Sequence, residues 1–326
     1  MQRSFSNLGL VLALLSCAAF GTSGSFAASL IAGGWTPAAA VTARVVIAAL
    51  LLTPPALLQL RSHRLTRASA RTLLIYGVLA VAGAQLCFFN AVSHLSVAVA
   101  LLVEYSGILL VVAWGWARHG HRPRRLTAGG GAIALSGLVL VLNLAGSQHL
   151  DLVGLLWAMG ASVGLALYFV LTAEADDSTP PLFMAWGGLA VGAVVLGVAA
   201  AAGALPVHAS SADVELLDRH VSWLVPVLGL SLVAAVLAYV TGIVGVRLLG
   251  AKLASFVGLT EVLFAVAFAW LLLGQRLELV QLAGGGLVVA GIALVRLDEM
   301  RGQAALARPA GVRSRGAYRE AGARED

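Results

Sequence analysis

The chain has 326 residues, of which 60% are hydrophobic and only 11% are charged. A soluble domain has about 25% charged and about 45–50% apolar residues, so this composition excludes an ordinary soluble globule and a disordered chain. The net charge of +6 does not indicate nucleic-acid binding, because the basic residues form short clusters between apolar blocks without interleaved aromatic residues. We therefore interpret the chain as an all-α, polytopic membrane protein.

Ten apolar runs are each long enough to cross a bilayer, for which a helix needs about 20 residues. Residues 1–7 are expected to form a cytoplasmic N-terminus. Residues 298–326 are rich in Arg, Ala and Gly without apolar periodicity, which predicts a disordered basic tail in the cytoplasm. In chain order, the predicted spans are 8–31, 36–60, 72–93, 96–116, 127–145, 152–173, 182–204, 222–244, 253–273 and 279–297.

The Lys and Arg residues between the spans predict the orientation of the chain. With the N-terminus inside, only Arg219 and Arg276 fall on the outer side. Cytoplasmic loops of membrane proteins carry an excess of Lys and Arg, so we expect both termini in the cytoplasm and an even number of spans. The residues on the inner side are Arg3, Arg61, Arg64, Arg67, Arg71, Arg118, Arg122, Arg124, Arg125, Arg247, Lys252, Arg296 and the Arg-rich tail.

The two halves of the chain, 8–145 and 152–297, repeat one pattern. The last span of each half begins with three consecutive glycines, and the fourth and ninth spans each carry one glutamate. Five spans is an odd number, so the second half must be inverted relative to the first. Inverted repeats are typical of secondary transporters, whose solute site lies near the midplane between the repeats.

Three charged residues lie deep inside the predicted spans: Arg44, Glu104 and Glu261. A charge at the bilayer centre costs at least about 2.5–3.5 kcal/mol on insertion scales, so each is a functional candidate. We hypothesise that one carboxylate gains and loses a proton during transport, with Arg44 as a counter-charge. The alternative is that these groups form buried polar contacts that hold helices together.

Neutral polar side chains within the spans could line a cavity and hydrogen-bond a solute. Small residues at helix crossings let two backbones approach closely. No cofactor or metal site is expected, because the sequence has neither closely paired cysteines nor a phosphate-binding loop. The cavity candidates are Gln85, Asn90, Tyr105, Tyr168 and Tyr239, and the helix-packing candidates are Gly130, Gly131, Gly137, Gly284, Gly285 and Gly291.

Several stretches resemble the EamA-type transporters of the drug/metabolite transporter superfamily. Ala251–Phe256 with Glu261–Ala265 resembles the ninth helix of that family, and Leu271–Arg276 with Gln281–Gly284 resembles its junction to the tenth. Ala100–Tyr105 resembles the fourth helix of the threonine/homoserine-exporter branch. The resemblance covers residues 8–297 and implies export of a small solute, coupled to the proton gradient.

We therefore expect a secondary transporter in the plasma (inner) membrane that exports an amino-acid-like or drug-like metabolite by alternating access. An uncoupled permease or channel is the nearer alternative. A polytopic membrane enzyme is the more distant one, because no set of hydrophilic catalytic residues shares one face. The expected partners are the lipid bilayer and a small-molecule solute; protons and a second copy of the chain stay open as partners.

Overall fold

The computed structural model describes residues 2–60, 66–95, 97–120, 124–142, 151–175, 179–217, 219–274 and 278–306. Nine helical spans in this part of the chain are long and apolar enough to cross a membrane. A tenth apolar helix has 17 residues, about 25 Å at 1.5 Å per residue. The helices are α1 (Gln2–Ala32), α2 (Pro37–Leu60), α3 (Arg67–Ile75), α4 (Ala84–His94), α5 (Val97–Tyr105), α6 (Gly107–His119), α7 (Arg125–Val141), α8 (Leu152–Ala173), α9 (Pro181–Ala201), α10 (Leu224–Leu228), α11 (Ala238–Leu249), α12 (Ala251–Gly258), α13 (Thr260–Leu273) and α14 (Leu279–Leu306).

Four of the predicted spans consist of more than one helical element. The third joins α3 to α4 through a π-helical segment, Tyr76–Gly83, and the eighth joins α10 to α11 through another, Gly229–Leu237. The fourth span is α5 and α6, and the ninth is α12 and α13. The ten predicted spans are therefore all helical, and the all-α polytopic fold is confirmed.

The two ends of the chain differ from the prediction. Helix α1 begins at Gln2, so the predicted N-terminal segment is largely helical. Helix α14 continues past the predicted end at 297 to Leu306, which corrects the prediction that the tail is disordered from 298. The extension is held by polar contacts to α7: Asp298 accepts a 2.6 Å hydrogen bond from the Thr127 hydroxyl. Residues 307–326 lie outside the described residues.

The long connection between α9 and α10 contains a small antiparallel hairpin, β1 (Val214–Leu216) and β2 (Arg219–Val221). The Ser29 hydroxyl at the end of α1 donates to the Glu215 carbonyl (2.6 Å). The Leu217 amide donates to the Leu272 carbonyl near the end of α13 (3.1 Å). The hairpin therefore covers the ends of α1 and α13 on the side opposite the N-terminus. We call that side the outer side and the side of the N-terminus the inner side.

Helices α7 and α14, the last of each repeat, pack backbone to backbone. A Cβ built on Gly137 would lie 2.6 Å from the Gly284 carbonyl oxygen, and one built on Gly130 would lie 2.7 Å from the Gly291 carbonyl. The predicted glycines at these four positions therefore lie where the helices cross. Close approach of this kind is how helices associate in a membrane, where apolar burial gives little driving force.

The other two predicted packing glycines behave differently. Gly131 faces the Phe256 ring, at 3.2 Å from its built Cβ. Gly285 has only the Leu263 side chain within reach, at an ordinary 3.5 Å. The sequence run of three glycines therefore does not mark three equivalent contacts, because successive residues of a helix point in different directions.

The structure allows the two repeats to be aligned residue by residue in their third and fourth spans. The π-helical segments end before Ala84 and Ala238, and the following helices begin at Val97 and Ala251. The Ser106 hydroxyl donates to the Val103 carbonyl, and the Thr260 hydroxyl donates to the Val257 carbonyl. All three pairs (84 and 238, 97 and 251, 106 and 260) share one offset of 154 residues.

Replacing Asp298 with Ala is expected to lower the free energy of unfolding by about 1–3 kcal/mol, the cost of leaving a buried hydrogen-bonding group without its partner. Thr127 is 1% exposed and would lose the carboxylate that accepts its hydroxyl proton. The control is Glu299→Gln, which removes a half-exposed ion pair with Lys252 and should cost less than about 1 kcal/mol. Thermal unfolding in detergent micelles measures both, and equal losses would contradict the prediction.

Candidate functional site

A cavity of about 320 Å³ lies between the two repeats. It takes residues from α1, α2, the third span, α5, α8, α11, α12 and α13, so both repeats build it. Its wall is mainly apolar and aromatic with a few polar groups, which is typical of small-molecule sites. The polar and aromatic lining residues are Ser16, Cys17, Phe20, Ser23, Arg44, Gln85, Phe88, Glu104, Tyr105, Tyr168, Phe169, Tyr239 and Glu261.

The two carboxyl groups lie beside the interruptions of the fourth and ninth spans. At each interruption a hydroxyl bonds to the carbonyl three residues back, and the backbone tightens: the Leu109 amide bonds to the Ser106 carbonyl (2.8 Å). Such hydroxyls compete with the helical hydrogen bonds, and short tightened stretches within helices often mark hinges. Glu104 and Glu261 therefore each lie within two residues of an interruption.

The two glutamates lie in matching spans, as the sequence indicates, but they do not occupy equivalent positions of the repeats. Glu104 precedes the interruption at Ser106, whereas Glu261 follows the interruption at Leu259. Under the 154-residue offset, Gly258 stands where the first repeat has Glu104, and Gly107 stands where the second has Glu261. Because the repeats are inverted, the segment before the first interruption and the segment after the second lie on the same side of the membrane. Both carboxyl groups thus lie on the outer side of the interruptions.

Glu261 is fixed by neighbours from two other helices. Its carboxyl group lies close to the Tyr105 side chain on α5, which lines the same cavity. Cys17 on α1 donates to the Val257 carbonyl (3.6 Å) in the turn before it. The neighbours of this carboxyl group therefore come from the first repeat, although its own helix belongs to the second.

Arg44 is 6% exposed and lies on the cavity wall. Its guanidinium donates to the Ser23 hydroxyl (3.1 Å) and to the Ala234 carbonyl (2.7 Å). The guanidinium carbon lies 5.5 Å from the centre of the Phe20 ring, a cation–π distance. Its Nε has no hydrogen-bond partner among the described residues. No carboxylate of the described part of the chain lies within 4.0 Å of it, so its charge is not neutralised by direct contact.

The π-helical segment Gly229–Leu237 explains why the Ala234 carbonyl can accept from Arg44. In an α-helix the Ala238 amide would bond to that carbonyl. Here the Ala238 amide bonds to the Val233 and Ala235 carbonyls instead. The wider turn therefore frees a backbone acceptor at the cavity, as π-helical turns often do at functional sites.

Aromatic rings form the inner wall of the cavity. Phe20 contacts Tyr239 edge to face (5.2 Å between centroids), and Tyr239 contacts Tyr168 at 6.1 Å. Tyr168 in turn contacts Phe169 at 5.1 Å. Such edge-on pairs are the preferred geometry of aromatic side chains, and here they make a continuous layer across the cavity.

The cavity is closed toward the inner side. Phe169, the last ring of the aromatic layer, packs with Val111, Val246 and Ala254 in one buried cluster. A Cβ built on Gly258 would lie 3.0 Å from the Phe169 ring. This cluster joins α6, α8, α11 and α12 and separates the cavity from the inner side.

Toward the outer side the helices separate. α1 packs on α13, and α4 and α5 pack on α8, without extended packing between these two groups among the described residues. Gly24 on α1 lines the cavity and has open space around it: no atom lies within 4 Å of its built Cβ. The described conformation is therefore open to the outer side.

The structure brings together seven of the eight polar residues proposed from the sequence. Arg44, Glu104 and Glu261 share the cavity with Gln85, Tyr105, Tyr168 and Tyr239. Asn90 does not line the cavity, which corrects that prediction. Its amide donates to the Leu86 carbonyl (2.8 Å) of the same helix. Sequence reasoning missed Ser23 and Phe20, because nothing in an apolar run indicates which of its residues will face Arg44.

Replacing Arg44 with Lys is expected to lower the free energy of unfolding by about 1.5–3 kcal/mol, the range for hydrogen bonds to charged groups. A single ammonium cannot reproduce the planar fork that reaches Ser23 and the Ala234 carbonyl together. Thermal unfolding in detergent measures the loss, with Arg71→Lys on the exposed face of α3 as the matched control. An Arg44→Lys variant as stable as the control would contradict this role of the fork.

The ten-span fold and the cavity between its repeats define the class of protein: a multi-pass α-helical membrane transporter. The EamA-like transporter family matches the chain twice, over residues 7–143 and 152–297. The chain therefore belongs to the EamA-like transporter family, which confirms the resemblance. It is a transporter of the drug/metabolite type and not an enzyme, embedded in lipid and moving a small solute.

A solved crystal structure of a protein, 18% identical in sequence, is similar to the chain with a TM-score of 0.72. The similarity covers 90% of this chain and 98% of that one. At this level of identity the likeness supports the fold alone. No curated protein matches the chain significantly.

Proposed function

We propose that this protein exports a small amino-acid-like or drug-like solute across the plasma membrane by alternating access, coupled to the proton gradient. The observation that carries the proposal is one cavity, closed on the inner side, that holds Arg44, Glu104 and Glu261 from both repeats. In this proposal, Glu104 and Glu261 bind and release the proton. Both chain termini lie in the cytoplasm, in keeping with the distribution of Lys and Arg.

The separation of the charges supports a solute that carries opposite charges of its own. Arg44 has no carboxylate of the described residues within ion-pair distance, and its Nε has no hydrogen-bond partner among them. An acidic group of the solute would bind the guanidinium, because charge-assisted hydrogen bonds are the stronger ones. A basic group would bind at the carboxyl groups, and the aromatic wall would hold the apolar part.

Metabolite profiling tests the proposal and identifies the solute in the same experiment. Cells that overproduce the protein are compared with cells that lack it, and the medium is analysed by mass spectrometry. We expect at least one zwitterionic or amphipathic solute to be enriched in the medium of the producing cells. An unchanged medium would contradict export.

Reconstitution in proteoliposomes then tests coupling with the solute so identified. We expect an imposed pH gradient to drive its accumulation against a concentration gradient. Equilibration without accumulation would instead favour an uncoupled permease or channel.

A further inference from the structure

The described conformation is closed on the inner side only. Because the repeats are inverted, each pair of residues in contact on the closed side has an equivalent pair on the open side. The first spans of the repeats, α1 and α8, can be aligned as the third and fourth spans were. Gly9 packs against Leu248, and Gly154 packs against His94. Since 94 and 248 are equivalent under the 154-residue offset, Gly9 is equivalent to Gly154, an offset of 145 residues.

Applied to the residues that close the inner side, these two offsets give the equivalent residues on the outer side. Phe169 corresponds to Gly24, and Gly258, on which the Phe169 ring packs, corresponds to Glu104. The inner side is therefore closed by a ring against a glycine. On the outer side the equivalent pair is a glycine and a carboxyl group, and both residues now line the open cavity.

We propose that Gly24 closes over Glu104 to form the outer gate, and that this gate closes only when Glu104 has been neutralised by a proton. This inference rests on the proposed alternating access and specifies which group couples it to protons. An inner gate that closes on Gly258 requires no change of charge, whereas an outer gate that closes on Glu104 does.

The physical reason is the cost of removing a carboxylate from water. In the outward-open conformation Glu104 is partly exposed to the cavity. Closure of α1 over it would bury the carboxylate, which is costly unless the charge is paired or lost. Gly24 has no side chain to offer as a partner. The titratable or charged groups that share the cavity with Glu104 are Cys17, Arg44, Tyr105, Tyr168, Tyr239 and Glu261.

The other groups in the cavity do not offer a substitute for the proton. Glu261 carries a charge of the same sign, so it opposes the ionised form of Glu104. The Arg44 guanidinium, which could balance it, is instead hydrogen-bonded to the Ser23 hydroxyl and the Ala234 carbonyl. Ser23 adjoins Gly24, so closure of α1 would move the partner of Arg44 together with the gate.

Cysteine cross-linking tests the gate without any solute. In a background with Cys17→Ser and Cys87→Ser, the pair Gly24→Cys and Leu101→Cys reports outer closure, because Leu101 lies one turn before Glu104 and lines the cavity. The equivalent inner pair is Phe169→Cys and Ser255→Cys. We expect the inner pair to cross-link readily. The outer pair should cross-link more slowly, because the outward-open conformation must first convert to one that is closed on the outer side.

The pH dependence of the outer cross-link tests the coupling. The quantity compared is the rate of the outer cross-link divided by the rate for the same cysteine pair carrying Glu104→Gln. This ratio should rise as pH falls, by up to roughly tenfold per pH unit for a single proton. The Glu104→Gln version corrects for the pH dependence of the thiol reaction itself. A pH dependence identical in both versions would overturn the proposed coupling.

Thr172→Cys, a single-cysteine variant in the same background, separates failure of this inference from failure of the proposed function. Thr172 is fully buried on α8 on the inner side of Phe169. Labelling by an impermeant maleimide from the inner side shows that the inner gate opens. Labelling without any outer cross-link would overturn the outer gate but leave alternating access intact. If neither the labelling nor the outer cross-link were observed, both the outer gate and alternating access would be overturned.

Discussion

Replacing Glu261 with Gln is expected to reduce proton-driven accumulation of the solute at least tenfold. The amide keeps the size of the side chain and a group that can accept from the Tyr105 hydroxyl. It removes the negative charge that faces Arg44 across the cavity and the capacity to bind and release a proton. Exchange of solute across the membrane without a gradient should be reduced less, because the helices and the gate are unchanged and Glu104 still offers a carboxyl group to the solute.

Glu104→Gln should have the same direction of effect on accumulation, measured in proteoliposomes with an imposed pH gradient. The control is Glu215→Gln, a carboxylate of the hairpin that is 77% exposed and outside the cavity. Accumulation at the wild-type level by both cavity variants would show that neither carboxyl group carries the proton. In that case the polar contacts would serve only to hold the helices together.

Replacing Gly137 with Leu is expected to destabilise the fold by about 3 kcal/mol or more, at or beyond the upper end of the usual cost of overpacking. A Cβ at this position would lie 2.6 Å from the Gly284 carbonyl oxygen and 2.7 Å from the Val288 amide nitrogen. Both neighbours are backbone atoms, so no side chain can rotate away, and α7 and α14 would have to separate.

The matched control is Gly286→Leu on α14. Gly286 is exposed, and no atom lies within 4 Å of its built Cβ. Thermal unfolding and the yield of monodisperse protein in detergent measure both variants. If the two glycines tolerated Leu equally, the close crossing of α7 and α14 would not contribute to stability.

Most of the fold could be predicted from the sequence because a bilayer imposes strong and local requirements. An apolar run of about 20 residues predicts a span wherever it occurs, and all ten predicted spans are helical in the structure. The interruptions at Ser106 and at Leu259, next to Thr260, could not be predicted in the same way. Serine and threonine occur in many helices without tightening them, and the hydroxyl orientation that does so depends on local packing.

The candidate site was predictable in its charged residues and less so in its geometry. Burying a charge in a bilayer costs free energy, so a charged residue within an apolar run is a functional candidate, and this identifies Arg44, Glu104 and Glu261. The sequence places each glutamate in the fourth span of its repeat, at a similar depth. The structure shows them on opposite sides of the interruption in chain order, a difference of register that residue spacing alone does not reveal.

By itself, the sequence determined the membrane class, the ten spans, the two five-helix repeats and the three charged groups deep within them. These follow from the composition of each segment and from the free energy of burying charge, which are properties of single helices. The tertiary structure alone decided that these charges share one cavity, that Asn90 lies outside it and that the inner side is closed. Such features depend on which faces of distant helices meet, and the π-helical turn that frees a carbonyl for Arg44 arises only in that packing.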